Sequence, residues 1–212
     1  MEREKFLSVA NFYLTHCILK QKERTGWISW NVSGRRESIA EHISSAQALA
    51  WALYSEFDEL SEYNIEHVIA LLSVHEEAES KIGDITPYQG ITPEEKAKIE
   101  REAFVSICEK LKRGDKILAL FDEFEAKETP EAQLAYLCDK LDCDLQAFFY
   151  SFEERCSIEN ATYKMVSNPN IQEIIKNGAQ SVWDVFYEAD KKIYKGTFLE
   201  DFFNCLKDVI YF

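Results

Sequence analysis

Helix-breaking residues are scarce in this chain, and their scarcity limits the folds that it can adopt. Its 212 residues include only 7 glycines and 4 prolines. Because both residue types interrupt regular elements, a chain with few of them can form long, uninterrupted helices. The sequence therefore favours helices over an architecture of short strands and tight turns.

Signals that begin helices recur along the chain. Ser38 is followed three residues later by Glu41, which is the pattern of a capping box. The predicted helix starts are Ser38, Thr92, Thr129 and Asn168, the last three each followed by proline. Runs that alternate between apolar and polar residues, as strands do, are rare. We therefore predict an all-α fold.

The length of the chain suits one large domain better than two small ones. Hydrophobic residues make up 46% of the sequence, which is ample for a core. We find no internal repeat and no linker long enough to separate domains. We predict a single helical domain over residues 1–212, with irregular loops at residues 26–36 and 83–90.

The acidic balance of the chain limits its partners. The formal net charge is -14, whereas a protein that binds DNA or RNA needs basic residues to neutralise phosphates. We therefore expect no nucleic acid polymer as a partner. A small phosphate ligand is compatible with this charge, because a metal ion with one or two arginines or lysines reverses the local field.

Three features predict a cytoplasmic protein. The first residues, MEREKFLSVANFYL, are charged and then amphipathic, unlike a signal peptide. No apolar run approaches the roughly 20 residues that a membrane span needs. The six cysteines form no CxxC pair, which is typical of reduced, packed thiols.

One predicted core helix, over residues 65–82, carries ionisable residues where its apolar stripe should continue. The stripe occupies positions 65, 68, 69 and 72, and the same periodicity then reaches His75, Glu76 and Glu79. Burying ionisable groups is costly unless they are paired or bind a metal. The pattern therefore points to a functional site at the end of this helix.

Two other predicted core helices offer groups of the same kind. His42 lies beside the inner stripe of the helix after Ser38, and Asp139 lies at the edge of the stripe in the helix after Pro130. Together with His75 and Glu76 they provide two imidazoles and two carboxylates, a suitable ligand set for a divalent cation. Periodicity alone also allows the alternative that each is a hydrogen-bonded core residue. His16 and His67 have no such context, so we expect them to be surface or structural residues.

Five segments, in this order, resemble the HD-domain superfamily of metal-dependent phosphohydrolases, and its 5'-deoxynucleotidase branch most closely. They are LKQKERTGW, RESIAEH, LLSVHEEAESKIGDITP, ITPEEKAKIEREA and DKLDCDLQA. The similarity covers residues 19–177. It implies an all-α HD-domain core, with residues 178–212 as additional C-terminal helices of unassigned function.

The resemblance implies a role for eight residues. As metal ligands it implies His42, His75, Glu76 and Asp139, and as catalytic residues Glu79 and Asp84. For the substrate it implies Arg24 at the phosphate and Trp27 near the sugar, where the ring would help to exclude a 2'-hydroxyl. Gly83 fits a turn that ends the helix and returns Asp84 over the site.

The chain departs from the family at one of these positions. The family doublet is His-Asp, whereas here Glu76 follows His75. Glutamate keeps the carboxylate but lengthens the side chain by one methylene. The substitution leaves open whether Glu76 preserves, weakens or changes metal binding.

The resemblance implies removal of phosphate from deoxyribonucleoside 5'-monophosphates with a divalent metal ion: Mn, Co, Fe, Mg or Zn. A homodimer is also implied by the resemblance alone. Two alternatives stay open. One is another HD-type phosphohydrolase that acts on ribonucleotides, triphosphates or phosphodiesters. The other is a non-catalytic nucleotide-binding protein whose activity was lost through Glu76.

Overall fold

The computed structural model describes residues 2–86 and 90–206. These residues form helices, turns and one isolated antiparallel bridge between Glu23 and Ser38. The helices are α1 (Glu2–Leu19), α2 (Thr25–Ser29), α3 (Ile39–Glu56), α4 (Ile65–Leu72), α5 (Glu79–Ile82), α6 (Pro93–Cys108), α7 (Gly114–Ala126), α8 (Pro130–Phe152), α9 (Tyr163–Val166), α10 (Pro169–Lys176), α11 (Val182–Tyr194) and α12 (Phe202–Leu206). The predicted all-α fold is confirmed.

The predicted helix starts are confirmed by their capping geometry. The hydroxyl groups of Ser38 and Thr92 each accept a hydrogen bond from the backbone N–H of the glutamate three residues later. The side chain of that glutamate accepts from the backbone N–H of the cap residue, which completes a capping box. Thr129 and Asn168 cap α8 and α10, with proline at the start of each helix. These caps fix where α3 and α8, the two longest core helices, begin.

Helix α8 lies at the centre of the packing and contacts α3, α4, α7 and α11. The predicted inner stripe of α3 is confirmed, since all five of its members are buried: Ile39, Ile43, Ala46, Ala50 and Leu53. Several of these side chains pack with Leu134, Cys138 and Leu141 of α8 in the largest core cluster. The core thus holds α3, α4 and α8 side by side.

The predicted continuous helix over residues 65–82 is wrong in its middle. Helix α4 ends at Leu72, and residues 73–78 form a turn before α5. Backbone hydrogen bonds in this turn join residues three apart, as from Glu77 to Val74 and from Glu79 to Glu76. The backbone is therefore wound more tightly here than in an α-helix, and such a tighter segment often marks a functional site.

Side chains explain why the α-helix gives way here. The Ser73 hydroxyl donates to the Ala70 carbonyl at 2.7 Å, and the His75 ring contacts the Leu72 carbonyl at 2.8 Å. In a continuous α-helix, the Leu72 carbonyl would accept from the backbone of Glu76. Local side-chain hydrogen bonds of this kind compete with the helical ladder.

Two predicted loops differ in outcome. The prediction of a wholly irregular loop over residues 26–36 is wrong, because α2 occupies the first of these residues. The ring of Trp27 in α2 packs in an apolar cluster of the core. Of the segment 83–90, residues 83–86 are non-helical as predicted, and 87–89 lie outside the described residues. Within the described ranges, no helix combines the length and the apolarity needed to cross a membrane.

Candidate metal centre

Four side chains from three elements converge in the core. His42 lies in the first turn of α3, His75 and Glu76 lie in the turn between α4 and α5, and Asp139 lies in the middle of α8. Each offers one ligand atom, and all four atoms lie within 4.8 Å of one another. The structure thus brings together the four residues that the resemblance implied as metal ligands.

The distances within this cluster suit a single ion. His42 Nε2 lies 3.1 Å from Asp139 Oδ1, 3.3 Å from His75 Nε2 and 3.8 Å from Glu76 Oε1. His75 Nε2 lies 3.9 Å from the Glu76 oxygen and 3.8 Å from the Asp139 oxygen. Because metal–ligand bonds to nitrogen and oxygen are about 2.0–2.2 Å long, two ligands of one ion can lie up to about 4.2 Å apart. The donor set therefore fits a divalent cation.

Hydrogen bonds orient both imidazoles. The Leu72 carbonyl can only accept, so His75 Nδ1 carries a proton and donates it at 2.8 Å. His42 Nδ1 lies 2.7 Å from Asp142 Oδ2, where the same arrangement holds. A metal-binding histidine commonly donates its second ring nitrogen to a carbonyl or carboxylate in this way. Both Nε2 atoms then face the cluster and its two carboxylate oxygens.

The pKa shifts show that these converging acceptors attract positive charge. Burial and Arg24 lower the pKa of His42, but the hydrogen bonds to Asp139 and Asp142 outweigh them and raise it to about 9. Burial raises the pKa of Glu76, but Arg24 and the two histidines lower it to about 2. Without a metal ion, a proton on His42 would partly neutralise the site, and a divalent cation would compete with that proton.

Arg24 lies against this cluster. Its Nη1 donates to Glu76 Oε1 at 2.9 Å and its Nη2 donates to Cys143 Sγ at 3.2 Å. Both the arginine and the glutamate side chains are largely buried, at 14% and 15% exposure. The guanidinium that the resemblance places at the substrate phosphate is therefore beside the predicted metal ligands.

Glu79 and Asp84 form an acidic wall near the cluster. Glu79 is 2% exposed, and its Oε2 is buried without a hydrogen-bond partner among the residues that the structure describes. Burial and the neighbouring carboxylates of Glu76 and Asp84 raise the pKa of Glu79 well above its ordinary value. This shift increases the affinity of the Glu79 carboxylate for a proton.

The turn after α5 positions Asp84. Gly83 adopts a φ of 83°, and its backbone N–H donates to the Glu79 carbonyl at 2.8 Å. Such a positive φ strains any residue with a Cβ, so glycine suits this position. Asp84 Oδ2 accepts from the backbone N–H of Thr25 at 2.6 Å. The turn therefore joins the acidic wall to the segment that carries Arg24.

Trp27 lies inside the protein and is only 2% exposed. Its Nε1 donates to Glu37 Oε2 at 2.9 Å, and its ring stacks on Phe186 at 5.2 Å. Little of the ring is available for direct contact with a ligand. Trp30 is equally buried and packs in the same apolar cluster.

The two remaining histidines lie away from the cluster of ligand atoms. His16 Nδ1 pairs with Glu77 at 2.5 Å, and His67 Nε2 pairs with Glu123 at 2.9 Å. Both are partly exposed, in keeping with the structural role expected for them.

Several groups around the cluster were missed by the sequence reasoning. Asp142, one turn beyond Asp139 on α8, holds the His42 ring. Glu37 lies behind the same ring, within 4.8 Å of it and of Asp142. Lys140 Nζ lies 3.2 Å from Asp139 Oδ2. The DKLDCD spacing places Lys140 and Asp142 on α8, but it does not show which of them faces α3.

Comparison with known proteins gives clear relatives. The HD domain family matches residues 18–183, well over half of the chain. The 5'-deoxynucleotidase hdd1 of Schizosaccharomyces pombe is 31% identical over 182 residues, which cover 81% of this chain and 89% of that protein. The 5'-deoxynucleotidase HDDC2 of Dictyostelium discoideum is 33% identical over 137 residues, which cover 62% of this chain and 72% of that protein.

Solved structures support the same fold. A predicted metal-dependent phosphohydrolase from Magnetospirillum magnetotacticum matches with a TM-score of 0.61 and 22% identity, covering 92% of this chain and 95% of that one. The PH0347 protein of Pyrococcus horikoshii matches with a TM-score of 0.60 and 24% identity, covering 86% and 96%. These structural similarities show the fold. The family match over residues 18–183 and the similarity to hdd1 show that the chain belongs to the HD-domain family.

Proposed function

We propose that this chain is a metal-dependent phosphohydrolase that removes phosphate from deoxyribonucleoside 5'-monophosphates. The observation that carries the proposal is the convergence of two imidazoles and two carboxylates within 4.8 Å, beside an arginine. The 5'-deoxynucleotidase names of the relatives supply the substrate class.

The proposed ligands are His42, His75, Glu76 and Asp139. A divalent cation held there supplies Lewis-acid polarisation of the phosphoryl group and lowers the pKa of water. The two carboxylates neutralise the charge of such an ion, so the phosphate needs further positive charge from the protein. We assign this role to Arg24, whose planar guanidinium suits two phosphate oxygens.

Two carboxyl groups are proposed to move protons. Attack of water oxygen on phosphorus breaks the bond between phosphorus and the 5'-oxygen. Glu79, whose raised pKa suits a group that takes up a proton, orients the water and accepts its proton. Asp84 donates a proton to the departing 5'-oxygen. The backbone contact with Thr25 holds Asp84 in place for this step.

Trp27 is proposed to act at the sugar side of the site. Its burial and its hydrogen bond to Glu37 favour a role in shaping the wall behind the sugar, through packing of the segment that carries Arg24. Such a wall would exclude a 2'-hydroxyl by lack of space.

Three finer points are also proposals. The metal is Mn, Co, Fe, Mg or Zn, since imidazole and carboxylate ligands accept each of these. The chain acts in the cytoplasm, which the six free cysteines support. It forms a homodimer, which the many exposed apolar side chains of α1, among them Phe6, Val9 and Leu14, support.

A substrate panel tests the proposed function. Chelator-treated protein receives Mn, Co, Mg or Zn, and phosphate release is measured from dAMP, dCMP, dGMP, dTMP and dUMP, with AMP and UMP beside them. We expect metal-dependent release that favours the deoxy substrates. Equal release from AMP and dAMP would contradict the proposed preference for deoxyribonucleotides. No release from any nucleotide would contradict the proposed nucleotidase activity.

The Glu76→Asp variant, which restores the family doublet, tests the non-catalytic alternative. We expect it to hydrolyse the same substrates as the natural chain. If only the variant were active, the chain would be a nucleotide-binding protein disabled by one methylene.

A further inference from the structure

Most basic side chains beside the candidate centre are held by partners within it. Arg24 pairs with Glu76 at 2.9 Å, and Lys140 pairs with Asp139 at 3.2 Å. Lys22 donates to the backbone carbonyls of Glu79 at 2.7 Å and of the next residue at 3.0 Å. Of these three, only Arg24 is assigned to the phosphate, which carries up to two negative charges.

Lys96 differs from these residues in position and in partner. It lies in the first turns of α6, which packs on α5, the helix that begins with Glu79. Its ammonium lies 3.3 Å from Glu100, one turn further along the same helix, and its side chain is 37% exposed. Lys96 is thus attached beside the acidic wall and still reaches solvent.

The electrostatics support this location. Burial lowers the pKa of Lys96, but the carboxylates of Glu100, Glu76 and Glu79 together raise it above its ordinary value. The ammonium therefore lies within the field of a predicted metal ligand and of a predicted catalytic carboxyl group. An incoming phosphate would enter the same field.

Glu100, the partner of Lys96, lies where an ionised carboxylate is disfavoured. Only 7% of Glu100 is exposed, and burial, followed by the effect of Glu76, raises its pKa to about 7 although Lys96 acts to lower it. The surroundings of Glu100 thus disfavour its ionised form. A phosphate dianion can therefore compete with Glu100 for the ammonium.

We propose that Lys96 is a second phosphate-binding residue, which exchanges Glu100 for a phosphate oxygen when substrate enters beside Arg24. The inference rests on the proposed function, because the phosphate is that of the nucleoside monophosphate. Arg24 offers a planar fork, whereas Lys96 offers a compact point charge on a flexible stem. The two residues approach the phosphate from α6 and from the start of α2.

The test compares Lys96→Met with Lys98→Met in the metal-loaded full chain. Methionine keeps an unbranched apolar stem and removes the charge, and Lys98 lies on the same helix with an exposed ion pair to Glu102 at 3.9 Å. The probe is inorganic phosphate, with its dissociation constant measured by calorimetry. Lys96→Gln serves as a second neutral variant, and Lys96→Arg tests rescue of the charge.

Loss of one charge-assisted contact should weaken phosphate binding about tenfold in both neutral Lys96 variants. The KM for dAMP should rise by a similar factor, with a much smaller change in kcat. Lys98→Met should behave as the natural chain, and Lys96→Arg should recover most of the affinity. Unchanged phosphate affinity in the neutral Lys96 variants, or a loss of kcat at unchanged KM, would overturn the proposal.

The phosphate probe separates this proposal from the proposed function. If no nucleotide is hydrolysed but phosphate binding depends on Lys96, the proposed nucleotidase activity is wrong and the phosphate-binding role of Lys96 is supported. If the metal-loaded natural chain binds no phosphate, the role of Lys96 is overturned whatever the substrate.

Discussion

The guanidinium of Arg24 lies 2.9 Å from the carboxylate of Glu76, so a predicted phosphate-binding residue touches a predicted metal ligand. The same carboxylate oxygen faces the Nε2 atoms of His42 and His75 at 3.8 and 3.9 Å. A cation bound to this oxygen would weaken the ion pair between Glu76 and Arg24. Metal binding and the availability of Arg24 for phosphate are therefore expected to be coupled.

Replacement of Arg24 by methionine should change metal and substrate binding in opposite directions. Removing a positive charge beside the centre should tighten metal binding by roughly three- to tenfold. The KM for dAMP should rise by about tenfold or more, because a bidentate phosphate contact is lost. Titration of metal and steady-state kinetics measure the two effects.

The matched control for this variant is Arg36→Met, since Arg36 pairs with Glu23 at 3.1 Å. Weaker metal binding in Arg24→Met than in the control would contradict the coupling.

Replacement of Asp142 by asparagine should weaken metal binding although Asp142 is not a proposed ligand. The carboxylate fixes the ring of His42 through Nδ1 at 2.7 Å, so that Nε2 faces the proposed metal site. Loss of such an orienting partner typically costs about 10–100-fold in metal affinity or activity. Activity should recover at high metal concentration. A variant with unchanged metal affinity would show that Asp142 has no orienting role.

Replacement of Asp84 by asparagine should lower turnover much more than metal binding. The proposed proton donation to the leaving oxygen contributes about 100-fold or more to kcat. The amide oxygen of the new side chain can still accept from the backbone of Thr25, so the turn should persist. Kinetics at saturating metal and a metal titration measure the two quantities. Equal losses in kcat and in metal affinity would count against Asp84 as the proton donor.

Replacement of Asp144 by asparagine should stabilise the protein at alkaline pH. Asp144 is fully buried; burial, followed by the effect of Asp190, raises its pKa from 3.8 to about 8, although the hydrogen bond from Tyr194 at 2.5 Å opposes the shift. Between these pH values the folded state holds a proton that the unfolded state has lost. The free energy of unfolding therefore falls as pH rises through this window.

The asparagine variant lacks this titration, so its stability should depend less on pH between about 4 and 8. At pH 8 we expect a gain of about 2 kcal/mol, which corresponds to a Tm increase of roughly 4–8 °C. Asp201→Asn, at an exposed turn position, is the control. Parallel curves of Tm against pH for Asp144→Asn and the natural chain would refute the shifted pKa.

The helices were predictable because their caps and stripes are local features of the sequence. Ser38 with Glu41, and the stripe from Ile39 to Leu53, determine the start and the buried face of α3 without reference to the rest of the chain. The break after Leu72 was not predictable in this way. It depends on side-chain hydrogen bonds from Ser73 and His75 to backbone carbonyls that would accept from backbone N–H groups in a regular helix.

The same distinction between local features and long-range contacts applies to the candidate site. Periodicity and resemblance together placed His42, His75, Glu76 and Asp139 at one centre, and the structure brings them together. The contacts of Arg24 with Glu76 and of His42 with Asp142 span 52 and 100 residues of sequence. Spacing within a single helix carries no information on contacts between such distant segments, so these contacts emerge only from the packing.

The most direct test of the central claim follows metal binding and hydrolysis in one titration. Chelator-treated protein is titrated with Mn²⁺, and bound metal and phosphate release from dAMP are measured at each point. Asp139→Ala removes a proposed ligand, and Asp122→Ala, at an exposed ion pair with Arg101, is the matched control. We predict that release rises in proportion to bound metal, saturates near one ion per chain, and disappears only in Asp139→Ala. Release that is independent of bound metal, or equal in the two variants, would contradict the account.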